Sequence, residues 1–335
     1  MSNDLKLPVA LILGATGGIG GAVAHVLKAR GWTVRALNRN SAALQGRHPE
    51  FEWRQGDALV AADVSAAASG VDLIVHAVNP PGYRDWEKLV LPMLDNSIAA
   101  ASRHGARLLV PGTVYNFGPD ARPNPVEDSP QNPETRKGKI RVAFEKRLRQ
   151  AAANGTQVIM VRAGDFFGPG AANNWFSQLV TPGKPVKAVV NPGRKGVGHQ
   201  WAYLPDLAET MMRLVERSSS LPAYADYHFE GFWDHDGMQM ANAIGRVVGK
   251  PDIRVRRFPW PLAYVASPFV RLFREILEMR YLWQEPLHLT NSKLTAAIGE
   301  EPRTPIDEAV RATLDAFGCL PEALGDHRSG TLAVA

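Results

Sequence analysis

Gly14, Gly17 and Gly20 stand three residues apart in the stretch Leu11–Gly21. Residues without a Cβ at this spacing serve one chemistry, the cradling of a pyrophosphate by backbone N–H groups. Gly14 permits a tight turn. Gly17 lets the phosphates approach, with Thr16, Gly18 and Ile19 around them, and Gly20 lets the next helix pack closely. Such a turn works only between a strand and a helix. The apolar run Leu7–Leu13 predicts the strand, and Val23, Val26 and Leu27 form the apolar face of the helix. The helix N-terminus adds partial positive charge for the phosphates. The pattern predicts a dinucleotide site; a tight turn without a ligand is the plainer alternative.

The second strand, within Gly31–Arg39, alternates in polarity and ends at Asn38 and Arg39. An Asp or Glu at that end binds the ribose 2′-hydroxyl of NAD. Asn38 carries no charge to repel a 2′-phosphate, and the Arg39 guanidinium is able to pair with one in bidentate fashion. NADP is therefore expected over NAD. Asp57, followed by Ala58 after the third strand, is placed to accept from the adenine amino group. Ala77, Val78 and Asn79 follow the fourth strand and pass beside the ribose and pyrophosphate. Arg35 reads as a strand residue with no ligand role.

Further strands at Glu50–Arg54, Val71–His76, Ala106–Val110 and Gln157–Arg162 alternate with helices at Ala58–Ser69, Trp86–His104 and Ile140–Ala153. The Trp86–His104 helix carries Pro92, which predicts a kink. The alternation predicts an α/β fold, a Rossmann doubly wound parallel sheet with a smaller C-terminal α+β substrate domain. Residues 1–170 form the NAD(P)-binding domain, its sheet completed by parts of 171–250, and residues 171–335 are mainly substrate-binding. Right-handed crossovers bring the strand C-termini to one rim, where ligands bind. Beyond Gly170, strands are expected at Val186–Val190, His199–Leu204, Tyr224–Phe229 and Ile253–Phe258. Helices are expected at Asp206–Arg217, Met238–Val248, Leu262–Leu277 and Ile306–Phe317. The last dozen residues read as frayed.

The 335 residues are 45% hydrophobic and 21% charged, an ordinary globular composition. A net charge of +5 without a long Lys/Arg block argues against a nucleic-acid partner. One cysteine, Cys319, excludes an intramolecular disulfide and a cysteine metal site, and the nine histidines are too scattered to suggest a metal. There is no signal-peptide core and no uncharged apolar run of membrane-spanning length, which predicts a cytoplasmic chain without stable membrane insertion. Phe258–Trp283 is aromatic-rich and amphipathic. Packing in the substrate domain is expected of it, with a membrane-surface or dimer helix as the alternative.

The glycine turn, Gly56-Asp57 and His76-Ala77 resemble the short-chain dehydrogenase/reductase superfamily. Val114-Tyr115 with Gly118-Pro119, the stretch Arg162–Gly170, the block His199–Ala208 and the C-terminal Ser292-Lys293-Leu294 with Pro302–Pro305 are similar to its extended branch, the NAD-dependent epimerase/dehydratase family. The resemblance runs from residue 8 to about 318. It implies that Arg162, Ala163 and Gly164 meet the cofactor, and that a homodimer forms through the helices near Trp86–His104 and Ile140–Ala153.

That family uses a Ser or Thr, a Tyr acid/base, and a Lys four residues later. Lys137–Glu145 aligns with its motif so that Lys137 takes the place of the Tyr and Arg141 that of the Lys. A register pairing Thr135 and Lys139 loses Gly138 and Glu145. Pro111 falls at the Ser position, with Thr113 two residues on. This looks like the atypical branch, which holds both lysine-dependent reductases and redox-silent sensors. Hydride transfer to a carbonyl needs a proton donor. By analogy Lys137 supplies it, Arg141 holds the ribose, and Thr113 and Tyr115 are further candidates, each with a packing or turn role as the alternative. His76 reads as a core histidine. Tyr83, Phe117, Phe166, Asn174, Trp175, Trp201 and Tyr203 are expected to line a largely apolar pocket for a small-molecule substrate. The leading expectation is an NADP-dependent reductase of a small, partly apolar carbonyl or activated alkene. A sugar-nucleotide-type epimerase or dehydratase and a redox-silent NAD(P)-binding sensor remain open.

Overall fold

The run at Val9–Leu13 is buried at all five positions, which requires cover on both faces and hence a central strand of a parallel sheet. A computed structural model describes residues 7–80, 85–171 and 174–320. The chain runs β1 (Val9–Leu13), α1 (Gly18–Ala29), β2 (Thr33–Asn38), α2 (Ser41–Gln45), β3 (Glu52–Gln55), α3 (Ala61–Ala67), β4 (Leu73–His76) and α4 (Trp86–His104). It continues through β5 (Arg107–Gly112), α5 (Arg136–Ala153), β6 (Val158–Arg162), β7 (Asp165–Phe167), α6 (Phe176–Leu179), β8 (Val189–Asn191), β9 (His199–Tyr203) and α7 (Leu204–Glu216). It ends with β10 (Tyr224–His228), β11 (Phe232–Asp234), α8 (Gln239–Val247), β12 (Val255–Arg257), α9 (Trp260–Ala266), α10 (Arg271–Glu278), α11 (Ser292–Ile298) and α12 (Ile306–Ala316).

Seven strands form one parallel sheet in the order β10-β6-β5-β4-β1-β2-β3. The order reverses beside β1, so the crevice for a ligand opens at the C-terminal ends of β1 and β4. One apolar cluster packs α1 and α7 on one face, and a second packs α4 and α5 on the other. A smaller body gathers the three-stranded sheet β11-β9-β7 and the pair β12-β8 around a third, aromatic cluster.

Several expected elements change on inspection. The helix expected over Leu262–Leu277 is two helices, α9 and α10, separated at Ser267–Val270. Pro268 has no N–H for a continuing ladder, which accounts for the break. Helix α4 spans Trp86–His104 as expected, with Pro92 inside it. The short elements α2, β7, α6, β11 and α11 have too few periodic residues to be read beforehand. The frayed terminus and Tyr83 lie outside the described residues.

Two sheet histidines carry a stability consequence. His76 is fully enclosed, Nδ1 lying 2.8 Å from the Ser97 hydroxyl, and burial with the nearby Arg141 charge pushes its pKa to about 3. Burial and Arg162 likewise push His228 to about 3. Against an ordinary 6.5, the unfolded chain takes up protons that the folded chain refuses. Stability is therefore complete above pH 6.5 and falls as pH drops toward 3, by roughly 1 kcal/mol per pH unit for each histidine. Urea midpoints at pH 7.5 and pH 5 are expected to differ accordingly; equal midpoints would contradict the enclosure of both rings.

Candidate functional site

The glycine turn has the shape that phosphate contact demands. Gly14 has φ +97°, and a Cβ there would lie 2.7 Å from the Ala77 carbonyl oxygen. A Cβ on Gly20 would overlap the Gly14 carbonyl oxygen. The Gly17 N–H donates to Gly14 O at 2.9 Å, closing the turn. Helix α1 then begins at Gly18 with no capping side chain and no acidic residue in its first turn. Thr16 and Gly17 are exposed, Gly18 is half-buried, and Ile19 and Gly20 face the core. Free amide donors, no competing carboxylate and a glycine cradle fit a dinucleotide pyrophosphate.

The ends of the groove also assemble. The Ala77 N–H donates to Leu13 O, so the β4 loop carrying Val78 and Asn79 runs beside the turn. At the end of β2, Asn38 accepts from the Asn40 N–H at 2.8 Å, and Asn38 O accepts from Gly56. Asp57 Oδ1 accepts from the Leu59 N–H at 3.0 Å, a local turn that includes Ala58. Arg39 is exposed beside them. Arg35 bonds Ala67 O, Ser69 O and Glu52, which accounts for it without a ligand.

At the opposite end, α5 is capped by Thr135, whose hydroxyl accepts from the Gly138 N–H at 3.0 Å. Arg141 reaches Asn79 Oδ1 at 3.3 Å and lies over the Trp86 and Phe144 rings. It thus stands between α5 and the β4 loop. Lys137 does not open onto the rim as expected. It is 2% exposed, and its Nζ donates to Glu275 Oε2, to Glu278 Oε2 at 2.7 Å and to Glu275 O at 3.3 Å. Its own N–H donates to Glu278 Oε1 at 2.9 Å. The expected proton donor is thus clamped by two carboxylates of α10. Their spacing in Arg271–Glu278 puts Glu275 and Glu278 on one helix face, a signal that could have been read from the sequence.

Thr113 forms a turn: its hydroxyl donates to Asn116 Oδ1 and accepts from the Tyr115 N–H, both at 3.4 Å. Tyr115 packs between two apolar clusters. Arg162 is a correction. Its side chain has no exposed surface. It bonds Glu145 through Nε at 2.8 Å and Nη2 at 2.6 Å, and Asp226 at 3.0 Å, leaving nothing to offer a cofactor. Ala163 is buried, and the Gly164 backbone is packed against Gln200 O.

The aromatic pocket is also corrected. Trp175 and Trp201 are core residues of the third cluster, and Trp175 packs against Trp283, Trp260 and Phe258. Tyr203 packs on Phe167, and Phe166 on the first cluster. Asn174 bonds Phe166 O and accepts from the Ser177 N–H, bracing the start of α6. Large rings in a body this small fill its interior, and composition cannot distinguish that from lining a pocket.

The open cleft lies elsewhere. About 360 Å³ in volume, it is lined by Phe117, Arg122, Glu134 and Thr135 from the stretch after β5, by Tyr264, Leu277 and Glu278, and by Arg280, Tyr281, Gln284 and Glu285. Among the described residues expected to bind substrate, only Phe117 borders it, and it is 1% exposed. Glu278 belongs both to this wall and to the Lys137 clamp. Burial works against its charge, and Lys137 and Arg136 nevertheless hold it below the usual carboxylate range.

The sequence profile of the NAD dependent epimerase/dehydratase family matches residues 10–228. The chain belongs to that family. A relative, the uncharacterized protein y4nL of Sinorhizobium fredii, is 23% identical, with 93% of this chain and 95% of that one covered. Among solved structures, UDP-glucuronic acid 4-epimerase from Bacillus cereus in complex with NAD superposes with TM-score 0.72 at 14% identity, covering 92% of this chain and 98% of that one. The Bordetella bronchiseptica enzyme WbmH in complex with NAD+ gives 0.68 at 19%, covering 93% and 98%. UDP-glucose 4-epimerase from Bifidobacterium longum in complex with NAD+ and UDP gives 0.71 at 13%, covering 94% and 99%. At these identities the likeness establishes the fold. The family assigns a nicotinamide dinucleotide to the glycine groove, and the cradle described above fits one.

Gly20→Ala forces the added methyl onto the Gly14 carbonyl, with an overpacking cost of about 1–3 kcal/mol. Urea unfolding is expected to show this loss, and calorimetry to show loss of NAD(H) and NADP(H) binding. Wild-type affinity in the variant would contradict the groove.

Proposed function

We propose that the chain is a nicotinamide-dinucleotide enzyme of the sugar-nucleotide epimerase or dehydratase type, acting on a polar, hydroxyl-rich substrate. The observation that carries this reading is the cleft beside Lys137. Two arginines, three carboxylates and a glutamine line it. Such a wall of donors and acceptors suits sugar hydroxyls better than the small apolar carbonyl first expected. When bound, the dinucleotide supplies hydride transfer at its nicotinamide ring. Arg141 holds the β4 loop through Asn79, beside the groove. Lys137 is enclosed behind the cleft wall, so its proton exchange with the substrate oxygen runs through Glu278, which touches both Lys137 and the cleft, while Glu275 helps fix the amine in position.

A second reading rests on the clamp itself. The Lys137 Nζ donates to both Glu275 and Glu278, and an ammonium so engaged has hydrogens to give and no lone pair with which to act as a base. Donation suits reduction of a carbonyl, whereas epimerisation by transient oxidation starts by removing a proton from an alcohol. The test is to incubate the chain with a panel of uridine and guanosine diphosphate sugars and to follow the sugar protons by NMR. Stereochemical inversion or loss of water with no net cofactor consumption is the expected result, and Lys137→Met is expected to slow it about 100-fold or more. Stoichiometric loss of NADPH absorbance with a carbonyl substrate would favour the second reading. Tight dinucleotide binding with turnover of neither class would overturn both and leave the sensor.

We infer further that NADP is preferred. Asn38 presents no carboxylate where NAD selectivity needs one, and Arg39 is exposed with no side-chain partner among the described residues. A charge-assisted contact to the 2′-phosphate implies that Arg39→Asp weakens NADP+ binding by about tenfold or more, with little change for NAD+. Equal weakening for both dinucleotides in titration calorimetry would overturn this assignment.

A further inference from the structure

Residues 253–274 contain five arginines, at 254, 256, 257, 271 and 274, and no Asp, Glu or Lys. In the same stretch, helices α9 and α10 leave an apolar ridge in water. Among the described residues, six of the ten large hydrophobic side chains that stand exposed lie between Leu262 and Leu272. Val265 is 73% exposed and Phe269 is 88% exposed. Exposed apolar side chains scattered singly need no explanation, but a concentrated ridge marks an interaction surface. The acidic residues of α10 are turned away from it: Glu275 is buried, and both Glu275 and Glu278 bond Lys137. Among the described residues, Arg271 alone of the five arginines forms an ion pair, with Asp85 at 3.3 Å and Glu275 at 3.9 Å.

We propose that this ridge docks the protein on an anionic lipid bilayer. Leu262, Val265, Phe269 and Leu272 enter the headgroup region, and Arg256 and Arg274 pair with lipid phosphates and carboxylates. An apolar ridge flanked by cations is the pattern of an interfacial anchor. Charge argues against a second copy of the chain as the occupant. A two-fold contact would set five arginines against five others with no acidic residue from the same stretch between them. Aliphatic Leu262, Val265 and Leu272 offer no stacking surface for nucleic acid. The protein crosses nothing in this arrangement, and among the described residues no helix is long and apolar enough to do so. The inference is independent of the reaction proposed above.

The test is flotation of the full-length chain with vesicles of phosphatidylcholine alone and of phosphatidylcholine mixed with phosphatidylserine. Binding is expected on the mixed vesicles only and is expected to weaken with added salt. Val265→Asp with Phe269→Asp is expected to lower partitioning by at least about tenfold. Arg256→Glu with Arg274→Glu is expected to lower it about fivefold or more per residue. Both double variants alter exposed side chains, so dinucleotide affinity, measured in parallel, is expected to stay at the wild-type value. A chain that stays unbound on serine-containing vesicles at low salt overturns the proposal, as do ridge variants that bind like wild type. Equal retention on phosphatidylcholine alone overturns the anionic requirement. A ridge variant that changes the mass in solution, with no vesicle binding by wild type, assigns the ridge to self-association instead.

Discussion

A guanidinium with no exposed surface sits at the C-terminal end of β6, and the geometry of the candidate site depends on how it is held. Taking Arg162 out of water costs several kcal/mol unless its donors are fully engaged. Burial works against its charge, but Glu145 and Asp226 outweigh that and raise its pKa above the ordinary arginine value. Asp226 is shared with Lys293 at 2.8 Å and Arg149 at 3.4 Å. The cluster therefore binds β6, α5, β10 and α11 to one another. Removing one member of such a buried pair typically costs about 3–5 kcal/mol, because the remaining charge is left without a partner. The glycine at the end of β5 belongs to the same constraint: a Cβ on Gly112 would lie 2.6 Å from Arg162 Cγ.

The consequence reaches the candidate site through helix geometry. Lys137, Arg141 and Glu145 are spaced four residues apart, so they share a stripe along α5. Once Glu145 is fixed on Arg162, the rotation of the helix is set. Arg141 is then directed to Asn79 and the Trp86 ring, and Lys137 meets α10 at the helix start. The substitution of Lys and Arg for the family's Tyr and Lys is thus accompanied by partners of its own. A tyrosine at position 137 could use only one donor on the two carboxylates that Lys137 bridges. Glu275 and Glu278 on α10 and Lys137 on α5 form one unit, and its chemistry belongs to the trio.

The sheet was legible because its signals are local and repeated. Strand, glycine turn and helix follow one another within about 20 residues, and continuous apolar runs leave little choice but a doubly covered parallel sheet. The order of elements, the groove and the turn at Asn38 follow from those signals. The surroundings of Lys137 and the cleft were not legible, for two physical reasons. The partners of Lys137 lie 138 and 141 residues away in the chain; the spacing of Glu275 and Glu278 gives their shared helix face, but no local pattern connects it with a lysine at a distant helix start. Aromatic residues such as Trp175 and Trp201 have the same composition whether they fill a core or line a pocket. The cleft is instead built from Arg122, Glu134, Arg280 and Glu285, charged residues that ordinarily decorate a solvated face.

Helix α10 shows how closely these parts are tied. It has eight residues, too few to persist without tertiary support, since isolated helices shorter than about 12 residues are marginal in water. Apolar support is partial: Ile276 and Leu277 lean on the third cluster, Leu272 is 50% exposed, and Glu275 is the one buried residue of the helix. The inward carboxylates on Lys137, with Arg136 on Glu278 at 3.2 Å, therefore do much of the anchoring. The same carboxylates immobilise the amine at the family's acid/base position, and Glu278 also forms a wall of the cleft. A force on the outer face of α10 is thus borne by the ion pairs on its inner face. Any partner that orders or tilts this helix also acts on the clamp on Lys137 and on the wall of the cleft, because Glu278 belongs to both.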